Sequence, residues 1–358
     1  MKKRRVSPQH IGRVGGLAVA LGVGVLAAPW SASAAPDGSG PNIAVSHDGD
    51  VKVVKGTATA VSAGRGSTAV AHGFDSYAEA IGGTNNRAIA NGLGSTAVAS
   101  YGDNNTAKAS GIDSTAHAGG GSNNTAKATG TRSFAYAGDG TGNTATATGT
   151  GSTATATEGD SNTAKATGTG SYARAGEGTG NTATATGTNA AAVASRGDGN
   201  TAEATGTGAE AYAGSYYGLH QDGPQWNNNY NTAKAIGDDS WALAGVGGAE
   251  NDGNIALAYG QGSVAEAGSH GDRNDANTAV AFGADSSALA GTDGRDSSNN
   301  SATATNGAHA AAGTFGNDND SNTASATGAG SSADAGTNGS NFDGYTANAS
   351  GGDTVSNP

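Results

Sequence analysis

Cysteine is absent from the 358-residue chain, and methionine occurs once, as Met1. No disulfide can brace the fold, no thiolate can serve as nucleophile or metal ligand, and no thiol is available for a lipid anchor. Large apolar side chains are scarce as well: Leu, Ile, Val and Phe total 37 residues. A core of branched aliphatic side chains, and with it an ordinary globular domain of this length, is excluded. Proline occurs six times, with Pro224 alone between Pro41 and Pro358. Positive charge is in short supply, 18 Lys and Arg against 30 Asp and Glu, which argues against nucleic acid or an anionic lipid surface as partner.

What the chain does contain is Ala, Gly, Thr and Asn in a fixed phase. Asn86, Asn105, Asn124, Asn143, Asn162, Asn181 and Asn200 recur every 19 residues, and so do Gly92, Gly111, Gly130, Gly149, Gly168, Gly187 and Gly206. Composition alone would argue for disorder, but a disordered chain has no reason to hold this spacing. A constant period of such length implies stacked units, each burying its inner face against its neighbours.

Residues 1–34 read as a secretory signal peptide: Lys2, Lys3, Arg4 and Arg5 precede an apolar run from Val14 to Ala28, and Ala32-Ser33-Ala34 supplies a small-residue cleavage site. Arg4-Arg5 suggests twin-arginine export, but Ser7 and Pro8 suit the general secretory route better. Cleavage removes five basic residues and no acid, leaving 13 − 30 = −17 as the formal charge. No membrane span is expected after cleavage, and the chain is expected to be secreted, extracellular or associated with the cell surface.

Within one unit, residues 144–148 and 152–156 alternate with the period-two pattern of strands. Positions such as Ala107, Ala109, Ala164 and Ala166 are invariably alanine, whereas the residue between them varies among Lys108, Thr146, Lys165 and Glu203. Alanine therefore points inward and the variable residue outward. The expected fold is all-β, a parallel β-solenoid or β-roll of about 13 coils, two short strands per coil, with an alanine-filled interior. Methyl groups contribute about 0.8 kcal/mol per buried carbon, so much of the stability must come from continuous hydrogen bonding and close contact. Gly149 and its equivalents close a short turn. In the longer turn a small acceptor residue, such as Thr84, Asp103, Asp160 or Asp252, stands two before each Asn and sets the turn. The Asn series is expected to stack as a side-chain amide ladder.

The organisation that follows is a signal peptide (1–34), an N-terminal extension or cap (35–56), a solenoid of 19-residue repeats (57–214), an aromatic insert (215–230), a solenoid of about 23-residue repeats (231–351) and a tail (352–358). In the second solenoid Asn231, Asn254, Asn277 and Asn300 step by 23, and outward positions turn apolar, including Ile236, Trp241, Leu243, Ile255, Leu257, Tyr259, Val280 and Phe282.

These later repeats carry a resemblance. Residues 231–245 (NTAKAIGDDSWALAG), 255–265 (IALAYGQGSVA) and 277–288 (NTAVAFGADSSA) resemble the head repeats of trimeric autotransporter adhesins of the YadA type. The resemblance implies a left-handed β-roll that trimerises and binds host surfaces. The period here, 19 to 23, is longer than the family's, and no stalk or membrane anchor is recognisable.

Adhesion to a cell-surface or extracellular-matrix ligand is the leading functional expectation, with Tyr216, Tyr217, His220, Trp226, Tyr230 and Trp241 as contact residues and a homotrimer as the possible assembly. Ice binding is the alternative, on the rows Thr144, Thr146, Thr148 and Thr182, Thr184, Thr186, although lysines interrupt the central rank. Calcium binding is a further alternative: Asp139, Glu158 and Glu177 would stack as like charges, and Asp252 and Asp275 add oxygen donors. No other cofactor is expected. The histidines show no partner pattern, and no nucleophile triad or phosphate loop is present, so no enzymatic activity is expected.

Overall fold

The computed structural model describes residues 42–215 and 227–357. The expected signal peptide and Tyr216, Tyr217, His220 and Trp226 of the insert lie outside the described residues. Among the described residues run 31 strands, from β1 (Ile43–His47) to β31 (Thr354–Asn357), in two sheets of 16 and 15 strands. After the second strand the chain alternates between the sheets, so each coil adds one strand to each, and the result is a parallel β-solenoid of about 15 turns.

The count exceeds the expected 13 because both flanks join the stack. The segment assigned to a cap forms β1 and β2 (Asp50–Lys55), an antiparallel hairpin with a bulge after Val45. Strand β1 then lies antiparallel against β4 (Thr68–His72), which closes the end of the larger sheet before parallel stacking begins. The expected tail supplies β31, which pairs with β29 (Ser332–Ala335).

Alternation is realised as the sequence implies. In β12 (Thr144–Thr148) buried and half-buried residues alternate, and Ala145 and Ala147 pair in register with Ala126 and Ala128 below and Ala164 and Ala166 above. Both sheets direct such alanines inward, each contributing a double file of methyl groups with almost no exposure to the core. Hydrogen bonding also continues around the corners, as Gly149 and Gly151 donate backbone N–H groups to Thr129 and Thr131 of the coil before at 2.8 and 2.9 Å.

Gly149 is needed for two reasons. Its φ is 122°, and a Cβ there would sit 2.0 Å from the carbonyl oxygen of Gly168 in the next coil. Conformational freedom was legible in the sequence, whereas the contact between stacked turns is a property of the assembled rod.

The asparagines form the spine, but through different partners than expected. Asn162 Oδ1 accepts the backbone N–H of Asn181 at 2.9 Å, while Nδ2 donates to the carbonyl of Thr157 in its own coil and of Gly178 in the next, at 3.3 and 2.8 Å. The ladder in the 19-residue coils therefore runs from amide to backbone rather than from amide to amide. The physical reason is that the Asn N–H lies just before the strand and would otherwise be buried without an acceptor. Amide-to-amide bonds appear in the longer coils, where Asn254 Nδ2 also donates to Asn231 Oδ1 at 3.1 Å.

The longer coils add a second ladder. Asn228, Asn251 and Asn274 stand three before the first series, and each Oδ1 accepts the N–H of the equivalent residue one coil on: Asn251 at 2.9 Å, Asn274 at 2.8 Å and Ser297 at 2.9 Å. The four extra residues thus bring their own support for the backbone they add. In the last of these coils the two columns carry Phe342 and Tyr345, whose rings meet edge to face at 5.7 Å. Their N–H groups still bond Asn319 and Asn322 at 3.0 and 2.9 Å.

Candidate functional surfaces

Strand register turns side chains at one repeat position into straight ranks, so the candidate surfaces are the outer faces of the sheets and the edges made by the turns. On the larger sheet Thr106, Thr125, Thr144, Thr163, Thr182, Thr201 and Thr232 form one unbroken rank. Thr129, Thr148, Thr167, Thr186 and Thr205 form another. The rank between them reads Lys108, Lys127, Thr146, Lys165, Thr184, Glu203 and Lys234. Thr146 and Thr184 are therefore separated by Lys165, and the Thr-only rows at β12 and β16 (Thr182–Thr186) are not adjacent. Lys234 pairs with Glu203 at 3.0 Å, and that hydrogen bond raises the lysine's pKa.

Further along the same face, β20 (Thr232–Ile236), β22 (Ile255–Tyr259) and β24 (Thr278–Phe282) carry Ile236, Ile255, Leu257, Tyr259, Val280 and Phe282. Phe282 is 59% exposed, and its ring lies 6.2 Å from that of Tyr259. Leu243 stands in the outward rank of the smaller sheet, as expected, between Tyr212 and Glu266, but it is fully buried there.

The smaller sheet holds the residues that sequence reasoning missed. The first outward position of its strands is Tyr77, Thr96, Thr115, Phe134, Thr153, Tyr172, Ala191, Glu210 and Trp241 in consecutive coils. Three tyrosines on this face donate their hydroxyls to nearby carboxylates: Tyr77 to Glu79, Tyr136 to Asp139 at 2.9 Å and Tyr212 to Glu210 at 3.2 Å. Burial first, and then the neighbouring carboxylates, push the Tyr77 and Tyr136 pKa values up. A signal existed, since Tyr77, Phe134 and Tyr172 share one phase of the 19-residue period. Attention to the invariant positions hid these exceptions.

Of the expected contact residues within the described regions, Tyr230 and Trp241 stand at opposite corners of the coil. Tyr230 is 70% exposed in the long turn, in a left-handed conformation with its ring beside Gly199. Trp241 is half-buried at the start of its strand and extends the aromatic rank.

The acidic turns have partners of their own. Asp139, Glu158, Glu177 and Arg196 occupy one column. Arg174 contacts Glu177 and approaches Glu158 to 3.9 Å, and Arg196 bonds Glu177 at 3.1 Å. Where the residue two before an Asn is Asp, its side chain serves the preceding coil rather than its own: Thr141 donates its N–H to Asp160 at 2.6 Å, and Asp252 donates its N–H to Asp275 at 2.8 Å. Asp252 and Asp275 line a shallow groove with Glu250, Arg273, Asp296 and Ser298, about 550 Å³ in volume. Burial, chiefly, and the neighbouring carboxylates raise the Asp275 pKa. Among the described residues no three His, Cys, Asp or Glu side chains converge as a metal site.

Comparison of the chain with models of protein families, with curated proteins and with solved structures finds no match.

Proposed function

We propose that the protein is a secreted, non-catalytic binding rod, extracellular or held at a cell surface, that meets its ligand through the outer faces of its sheets in the manner of an adhesin. The observation that carries this reading is the division of labour in the repeat. Alanine, asparagine and the turn glycines are consumed in holding coil to coil, and chemical variety is confined to the flat exterior. The signal-like leader supports export, and the resemblance to adhesin heads supports surface binding with a homotrimer as the assembly. The direct test is binding of the fluorescently labelled chain to intact cells and immobilised matrix components, alongside sedimentation. Saturable binding reduced by deleting residues 216–226, which spares Asn228 and its ladder, is expected with the β spectrum kept. Absence of binding to every surface would refute the reading.

Ice binding is a second reading, favoured by the unbroken threonine ranks on the larger sheet. Thermal hysteresis and faceted ice crystals, abolished by Thr144→Lys with Thr182→Lys, are its expected outcome. Unshaped ice would remove it.

A further inference from the structure

The smaller sheet carries an aromatic rank that the repeat does not need for folding. Its strands keep threonine or another small residue at the first outward position in most coils, and large rings stand above that level at Tyr77, Phe134 and Tyr172. Phe134 and Tyr172 are 40% and 38% exposed. Because the strands pair in register, the rings are separated by whole coils: three from Tyr77 to Phe134, and two from Phe134 to Tyr172. At about 4.8 Å per strand these separations are about 14 and 10 Å along the rod. Tyr136 stands beside Phe134 on the same strand, held by its bond to Asp139.

We propose that this face binds an extended, uncharged, β-linked polysaccharide whose chain runs along the rod axis. The inference rests on the binding-rod reading and names its ligand class. Pyranose rings joined through equatorial bonds present flat C–H faces along an extended chain, and such faces stack on aromatic rings as other apolar surfaces do. One sugar advances such a chain by about one strand spacing, so the three rings meet every third and then every second sugar. Between them the rank holds only Thr96, Thr115 and Thr153, and Glu79, Asp139 and Arg174 lie beside the track to hydrogen bond ring hydroxyls.

Charge selects against the obvious competitors. Along this stretch acids on the face and its bordering turns, Glu79, Asp139, Glu158 and Glu177 among them, outnumber the bases Arg132, Arg174 and Arg196. Excess negative charge repels polyuronates and sulfated or phosphorylated glycans. A neutral glycan donates hydroxyl protons to the carboxylates without that penalty.

The test is retention of the full chain on microcrystalline cellulose and on chitin, with polygalacturonate and amylose as charged and α-linked controls. The expected result is retention on a neutral β-linked polymer that falls about ten-fold or more in Phe134→Ala/Tyr172→Ala, a loss of about 1.4 kcal/mol. Phe282→Ala, an exposed ring on the opposite sheet, is expected to change it less than about two-fold. Circular dichroism checks that both variants keep the β spectrum. Retention that survives the double substitution, equal retention on polygalacturonate, or none on cellulose and chitin would overturn the proposal. If the labelled chain still binds cells in the last case, the ligand class is wrong and the binding rod stands. If it binds neither, both fail.

Discussion

Asn162 shows how much one side chain does in this rod. It has no exposure and makes three hydrogen bonds to backbone groups, one in its own coil and two in the next. Asn162→Ala would strand buried groups that cost about 1–3 kcal/mol each, so the variant is expected to lose about 3 kcal/mol or more in urea denaturation. A loss below 1 kcal/mol, roughly the worth of one ordinary hydrogen bond, would mean that the spine is redundant. Gly149→Ala is expected to destabilise by at least about 1–3 kcal/mol, the scale of backbone strain at a non-permissive φ, because the carbonyl of Gly168 blocks the added methyl. Phase made the buried asparagine visible in the sequence. Its partners were not, because backbone carbonyls leave no mark on composition. The same limit hid the acceptor role of Asp160, which serves the coil before its own.

At the scale of the element, each coil is an interchangeable layer, since β12 and its neighbours pair residue for residue. Deleting residues 144–162 would bring Thr125 beside Thr163 in unchanged register, and the shortened rod is expected to fold with a Tm change of roughly a few degrees. Deleting one residue fewer, 144–161, leaves one surplus residue in the long turn, where the later coils already absorb three or four without losing register; the β spectrum is expected to survive, and its loss would contradict the view of the turn as the adjustable part of the coil. The longer coils carry an electrostatic liability. Glu266 lies between Leu243 and Leu289, with His270 at 3.8 Å and Asp293 nearby. Burial first, and then Asp293, raise its pKa, against the opposing pull of His270. Its contribution to stability is intact below its ordinary value of 4.5 and is lost as pH rises through the raised folded value. Glu266→Gln should therefore match the parent near that lower limit and exceed it at neutral pH in thermal melts; equal melting at neutral pH would contradict this. Asp103 acts in the opposite sense. Its pKa is lowered by the Thr84 N–H and hydroxyl, so its contribution is present above 3.8 and fades as pH falls through the folded value. The second asparagine ladder was legible in principle from Asn228, Asn251 and Asn274, three before the first series. It was missed because four added residues read more simply as a looser turn.

For the whole molecule, period and alternation carried most of the fold, since Ala145 and Ala147 fix which face is interior and Asn143 and Asn162 fix where each coil begins. They were silent on closure. The antiparallel turn at β1 and β2, and the replacement of ladder asparagines by Phe342 and Tyr345, occur once each and have no period to betray them. The candidate surface was less legible than the core for a related reason: function here is written in departures from the repeat, such as Tyr77, Phe134 and Tyr172, whereas the repeat itself encodes stacking. The central claim is that coil stacking alone, through alanine contact and the asparagine spine, holds the rod together. It is tested most directly by far-UV circular dichroism and sedimentation of residues 35–358, with calcium and in chelator. The account predicts the same β spectrum and the same elongated species in both conditions. A coil spectrum in chelator that becomes β only on adding calcium would contradict it and would make the acidic turns the element on which folding depends.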